Sequence, residues 1–362
     1  MNRKNNPSKH KIFKIMGIVC LLSMIIIAQS GCSAKEPVSK SDYCLNTACT
    51  ITLYDMEKTQ AEQLLDAVYQ QIRDDENLLS KTVKGSDVYK INHAKGEPVE
   101  VSEETAYVVN EGIAIGELSG GAFDITIGKV SDLWNFTGEN PQVPDEQELA
   151  EALKTVDYTQ IEWGTAAGDE TRKTIRLKNP EAQLDLGGIA KGYIADRAAE
   201  YLQAHGVVKG TVNLGGNVVA IGEKAEDTPW NIGIERPFSD RTELIGSLQV
   251  TDATVVTSGI YERKFEQNGR LYHHVLDPKT GYPAESPLEA VTVTASRIDD
   301  LYTSGFCDGL STTFLMLGTE RSQEIIRRLN EENPQLHLEA AFIDKNDQMV
   351  QTEGMHVEQI ED

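Results

Sequence analysis

Apolar and polar residues alternate over residues 49–55 (CTITLYD), a period that predicts a strand. The period then lengthens. Thr59 and Glu62 have capping-box spacing, and the apolar positions after them predict a helix to about Leu79. A second helix is predicted over 102–118, with Ser102 as cap and Glu103 and Glu104 in its first turn. A third, shorter one is predicted over 145–153, after Pro141 and Pro144. The middle of the chain changes character. Residues 174–178, 183–186, 211–221, 231–235, 244–250, 272–276 and 290–295 read as strands with Gly, Asp or Pro between them. One helix interrupts them over 189–204, closed by Gly206. Helices over 308–317 and 319–330 follow, with Gly318 between, then strands near 338–343 and 348–351. Helices and strands mix without strict βαβ alternation, and no linker splits the body. The pattern predicts an α+β fold in a single large domain.

The N-terminus differs from that body. Arg3, Lys4, Lys9, Lys11 and Lys14 precede an apolar run over 15–28, then Gln29-Ser30-Gly31-Cys32. These are the three regions of a secretory signal, and the apolar run is short for a membrane-spanning helix, which needs about 20 residues. Ser30-Gly31-Cys32 resembles a bacterial lipobox, although Gln29 stands where leucine is usual. This divides the chain into a signal at 1–31, a lipidated tether at 32–45 and a domain at 46–362. It also puts the protein on the outer face of the cytoplasmic membrane, held by acyl chains on Cys32.

Charge narrows the partners. Removing residues 1–31 takes away five positive charges and moves the formal charge from −23 to −28. So acidic a chain does not suit nucleic acid, and an anionic substrate would need local help from a metal ion or a few placed cations. Of the five cysteines, Cys44, Cys49 and Cys307 remain after Cys20 and Cys32 are set aside, with no metal-ligand spacing. Cys44 and Cys49 read equally as a bridged pair or as two small apolar residues.

Several short runs carry candidate chemistry. SGGAFD (119–124) follows a helix, and its paired glycines cap it or let a flat ligand approach the backbone. In LDLGGIAKG (184–192) a strand ends in two glycines and a helix starts, a geometry that gathers N–H groups for a phosphate. Lys191 in that first turn opposes the helix dipole; it reads equally as a lysine facing an anion or as a solvent-exposed side chain. NLGGN (213–217) is a further turn. TSGIYER (257–263) and YHHVLDPKTGYP (272–283) are polar runs among strands, where His273 and His274 would alternate faces. In DGLSTT (308–313) Asp308 and Thr312 stand one helical turn apart. They read as an Asp cap, or as a carboxylate and a hydroxyl for Mg²⁺, which takes oxygen ligands and keeps waters and phosphates.

Taken in order, SGGAFDITIG, LDLGGIAKGY, NLGGN, TSGIYER, YHHVLDPKTGYP and CDGLSTT resemble the FAD:protein FMN transferase (ApbE) family over essentially the whole domain. The resemblance implies a T-fold-related domain and a Mg²⁺-dependent enzyme. That enzyme cuts FAD, releases AMP and attaches FMN to a threonine or serine of an acceptor protein. The acceptor would be a membrane redox subunit or an extracellular flavoprotein. The alternatives are an FAD pyrophosphatase and a non-catalytic FAD-binding lipoprotein. By position, the resemblance implies that Ala48, Ala122, Phe123, Asp124, Asp185, Lys191 and His274 contact FAD. It also implies that the Gly188 carbonyl joins Asp308 and Thr312 around Mg²⁺. Asp185 and His274 are the candidates for the general base by residue type. Asn46–Ala48 occupy the place of a usual Met-Gly-Thr run, and Thr82 that of a frequent aromatic.

Overall fold

Two seven-residue runs open the fold, Val38–Cys44 (β1) and Thr47–Leu53 (β2), paired antiparallel across a turn of Leu45 and Asn46. The computed structural model describes residues 35–239, 243–299 and 301–360. The signal segment and Cys32 lie outside the described residues. The 32–45 tether is corrected in part, because 38–44 form an edge strand of the main sheet. Every second residue of β1 is half-buried, which only pairing with β2 explains.

After β2 come the helices Lys58–Leu79 (α1) and Asp87–His93 (α2), the short strand Val99–Glu100 (β3), and the helices Glu103–Ser119 (α3), Gly128–Trp134 (α4) and Glu146–Leu153 (α5). Strands Ile161–Ala166 (β4) and Asp169–Leu177 (β5) lead to the helix Ala190–Ala204 (α6). Then follow Gly210–Leu214 (β6), Asn217–Ile221 (β7), Trp230–Glu235 (β8), Leu244–Val250 (β9), Ala253–Gly259 (β10), Lys264–Gln267 (β11), Arg270–His273 (β12) and Leu288–Ser296 (β13). Helices Ser304–Leu317 (α7) and Thr319–Glu332 (α8) precede Glu339–Asp344 (β14), Met349–Gln351 (β15) and Val357–Gln359 (β16).

The main sheet has the order β1-β2-β6-β7-β10-β13-β14-β15, antiparallel throughout. Alternation assigns its two faces. Val219 and Ile221 of β7 and Val291 and Val293 of β13 turn toward α1, α6 and α7. Val218 and Ala220 of β7, with Ala290 and Ala341, turn toward the β16-β9-β8 sheet and its Trp230, Ile234 and Leu248. Helices, an eight-stranded sheet and a three-stranded sheet therefore stack in layers, the α+β arrangement the pattern predicts.

Local differences have tertiary causes. Residues 183–186 are not a strand. The Asn92 amide bonds both the N–H and the C=O of Leu184, at 2.7 and 2.9 Å, and Asp185 N–H donates to Ile125 at 2.8 Å. Helix α1 begins at Lys58, which puts Thr59 inside the first turn rather than at a cap. Helix α7 begins one turn before Asp308, because the Asp196 carboxylate of α6 accepts the N–H groups of Ser304 and Gly305, both at 2.8 Å. That cap comes from 108 residues away and leaves no local trace.

Candidate functional site

A cavity of about 330 Å³ opens where the β1–β2 turn, the loop after α3, the start of α4, the start of α6, the end of β10 and the segment after β12 converge. Ala122, Phe123, Asp124, Asp185, Gly188, Lys191, His274 and Thr312 all line it. Ala48 does not line it. It lies on β2, exposed and opposite Tyr43, and the turn residues Leu45 and Asn46 face the cavity instead.

The 119–124 run forms a tight wall. Gly120 and Gly121 have φ of 65° and 78°, and the Ser119 hydroxyl accepts the Phe123 N–H at 3.0 Å. Asp124 holds the loop rather than presenting free oxygens. One carboxylate oxygen accepts from Thr126 N–H and Oγ1, at 2.8 and 2.6 Å, and the other from Tyr158 N–H at 3.0 Å.

At the 184–192 run, most backbone donors are already used. Gly187 N–H bonds Asp185, Ala190 N–H bonds the Leu186 carbonyl, and Gly192 N–H bonds Asp308 Oδ2 at 3.0 Å. The positive charge of this wall therefore comes chiefly from the Lys191 side chain, whose Nζ is 3.6 Å from Asp308 Oδ1. The anion that its helix position requires is the buried Asp308.

Gly188 lies beside Thr312, and Asp308 stands one turn before Thr312 on the same helix. Asp308 and Thr312 are stacked on α7, and a Cβ placed on Gly188 would lie 4.0 Å from Thr312 Oγ1 and 3.1 Å from the Phe123 ring. Thr312 Oγ1 is 3.3 Å from Ser258 Oγ. The set is all oxygen with one carboxylate, and among the described residues no cluster of three His, Cys, Asp or Glu side chains could hold a metal. Such a set fits Mg²⁺, which needs few protein ligands, and does not fit a transition metal.

Asp185 is fixed by a group with no signal in the sequence. Lys81, just after α1, places Nζ 2.8 Å from Asp185 Oδ2, 2.6 Å from Ser131 Oγ and 2.6 Å from Asp132 Oδ1. Burial disfavours the Asp185 charge. The Lys81 ammonium and the hydrogen bonds of Ser131 and Gly187 outweigh it and hold the carboxyl down to about 2. His274 is the opposite case. Burial, then Arg263 and Lys191, push its imidazole down to about 3, and its buried Nδ1 has no hydrogen-bond partner among the described residues. It is a neutral ring lining the cavity, with Nδ1 turned inward and buried. His273 points away from the cavity and is buried.

A family model described as the ApbE family matches residues 45–336. The chain belongs to the ApbE family. Relatives agree with it over most of their length. A FAD:protein FMN transferase of Klebsiella pneumoniae is 38% identical over 288 residues, covering 79% of this chain and 83% of the relative. One of Treponema pallidum is 32% identical over 328 residues, covering 87% and 88%. Among solved structures, the ApbE protein of Thermotoga maritima superposes with a TM-score of 0.76 at 32% identity, covering 88% of this chain and 97% of that one. The flavin transferase ApbE of Vibrio cholerae superposes with 0.72 at 28% identity, with the same coverage. Membership in the ApbE family thus rests on the whole domain.

Proposed function

We propose that this chain is a Mg²⁺-dependent FAD:protein FMN transferase that attaches FMN to a threonine or serine hydroxyl of an acceptor protein and releases AMP. The observation that carries the reading is one cavity wall on which Lys191, Gly188, Thr312 and the neutral His274 converge, with the buried Asp308 paired to Lys191 directly behind it. Names of the relatives give the same activity for those proteins.

The residues divide the work. Asp308, Thr312 and the Gly188 carbonyl would hold Mg²⁺, which when bound would neutralise charge on the pyrophosphate. Lys191 sits beside the same oxygens and balances the substrate's negative charge. The acceptor hydroxyl attacks the phosphorus on the FMN side, the bridging P–O bond breaks, and AMP leaves with that oxygen. His274 is the proton acceptor in this reading, because its ring is neutral and lines the cavity. Asp185 is excluded from that role by its pairing with Lys81, and instead ties the 184–187 segment of the cavity wall to the end of α1 and to α4. Phe123, against Gly188, supplies an apolar wall for a flat ring.

The test is FAD with Mg²⁺, with and without an acceptor protein, read as AMP release and as flavin fluorescence on a denaturing gel. AMP together with a fluorescent acceptor band supports transfer. AMP with free FMN and no labelled band indicates a pyrophosphatase, and no AMP in either arm indicates a binding protein.

The exported, lipid-anchored form is part of the same proposal. Its support is the basic start, the apolar run and Ser30-Gly31-Cys32. Cys32→Ala should leave the membrane fraction or persist as uncleaved precursor, and unchanged attachment with cleavage elsewhere would count against it.

A further inference from the structure

The Leu45-Asn46 turn is part of the cavity wall, and both residues have positive φ, 55° and 57°. Positive φ at both central residues is the usual two-residue hairpin turn, which suits Asn46 but not Leu45, so Leu45 is held there by its surroundings. Part of the enforcement is the Leu45 N–H, which donates to Glu76 Oε1 of α1 at 3.0 Å. The rest comes from β1 and β2. Strand β1 is the outermost strand of the sheet, ordered by one neighbour only.

A cysteine stands on each side of this turn. The register pairs Cys44 with Thr47 and Cys49 with Asp42, so the cysteines are diagonal neighbours with side chains on one face. Both are buried, and Cys44 Sγ lies 2.7 Å from Cys49 Sγ. The hydrogen bond between them pushes the Cys44 thiol up and holds Cys49 below its ordinary value. Thiolate, the form that exchanges with disulfides, is thereby favoured on Cys49. Cys307 has no cysteine neighbour among the described residues. It is buried in α7, within the core between that helix and the sheet.

We propose that Cys44 and Cys49 are a dithiol–disulfide site, and that the bridged form holds the Leu45-Asn46 turn in the shape the flavin cavity uses. Forming the bridge breaks two S–H bonds and makes one S–S bond. Two electrons and two protons pass to an oxidant that is itself a disulfide, either oxidised glutathione or the active disulfide of a thiol oxidoreductase, which leaves as two thiols. The closed loop is short, so the gain in global stability is small. The effect is local pre-organisation of the turn. The effect on FAD rests on the transferase reading, whereas the bridge does not.

The experiment uses the full chain. Native protein is treated with oxidised glutathione or with a reductant, then denatured, alkylated and digested with trypsin. No Lys or Arg lies between Lys40 and Lys58, so both cysteines fall in one peptide, residues 41–58. After oxidation that peptide should be lighter by two hydrogen atoms and unalkylated, and after reduction it should take two alkyl groups. Cys307 should be alkylated in both samples. A 41–58 peptide fully alkylated after the oxidised treatment overturns the site. FAD titrations with Mg²⁺, read by flavin fluorescence, should show binding about three- to tenfold weaker in the reduced form, the scale of ordering one or two residues. The Cys44→Ser, Cys49→Ser double variant should lose this response. Equal affinity of the bridged and reduced forms overturns the coupling. A bridged peptide without FAD binding in either form would refute the transferase reading and leave the bridge standing.

Discussion

Asp185 and Lys81 meet at 2.8 Å, each largely sheltered, and the ammonium also donates to Ser131 Oγ and Asp132 Oδ1. Lys81→Met should strip the carboxylate of its counter-charge and cost about 1–3 kcal/mol, the scale for a hydrogen bond to a charged group. The sign with pH follows from the depressed carboxyl. Asp185 titrates near 2 when folded and near 3.8 when unfolded, so the pair's contribution is complete above about pH 4 and lost as pH falls toward 2. Urea unfolding of both proteins at pH 7 and pH 2.5 checks it, and a difference that does not shrink at the lower pH would refute it. His274 gives a second residue-scale outcome. An ordinary histidine base would switch off near 6.5, but this ring stays neutral to about 3. The acid side of the kcat/KM profile should therefore show no loss centred near pH 6.5. A fall of that kind, absent in a control with another base, would return the proton to an ordinary imidazole.

Asp308 belongs to the same scale. It is 2% exposed and accepts the Gly192 N–H, so it is more than a helix-start carboxylate. Asp308→Ala should abolish AMP release and also cost about 1–3 kcal/mol by leaving that donor unpaired. Asp308→Asn keeps an acceptor oxygen and loses the charge. It should fold nearly as well as the parent by thermal melting and still fail to release AMP. Thr312→Val should lose less activity than either.

At the scale of elements, the site depends on how α6 crosses α7. Gly192 is the contact: a Cβ there would lie 2.1 Å from the Ser304 carbonyl oxygen and 2.7 Å from the Gly305 nitrogen, all backbone. Gly192→Ala should force the helices apart and lower the melting temperature more than Gly206→Ala, where no atom lies within 4 Å and only the positive φ is strained. The same crossing lets Asp196 cap α7. Asp196→Ala should cost about 2 kcal/mol, and Asp196→Asn less, because an acceptor remains. The glycine in LDLGGIAKGY was legible as a motif letter. Its reason, a backbone–backbone crossing, was not.

At the scale of the whole molecule, the chain carries a formal charge of −23 and binds a substrate with a doubly charged pyrophosphate. One carboxylate and one lysine do not offset that field, so metal and FAD should each bind weakly alone and more tightly together. Calorimetric titration of Mg²⁺ with and without FAD measures the coupling. Independent binding would argue against a shared site. Reciprocity requires the same factor in both directions.

The sequence by itself determined the α+β class, most helices, the Ser102 cap among their ends, and the cavity residues that sit in ordered Gly-rich runs. These are short-range matters: periodicity, turn chemistry and helix-face spacing are written in consecutive residues. Residues whose partners lie far along the chain were decided only by the tertiary structure. Lys81 reaches Asp132 across 51 positions and Asn92 replaces a strand partner for Leu184 across 92. Asp196 caps a helix 108 residues on. The opposite charge states of Asp185 and His274 also needed the fold, because residue type does not set a proton affinity. Burial, counter-charge and unpaired lone pairs do, and only folding brings those to one place.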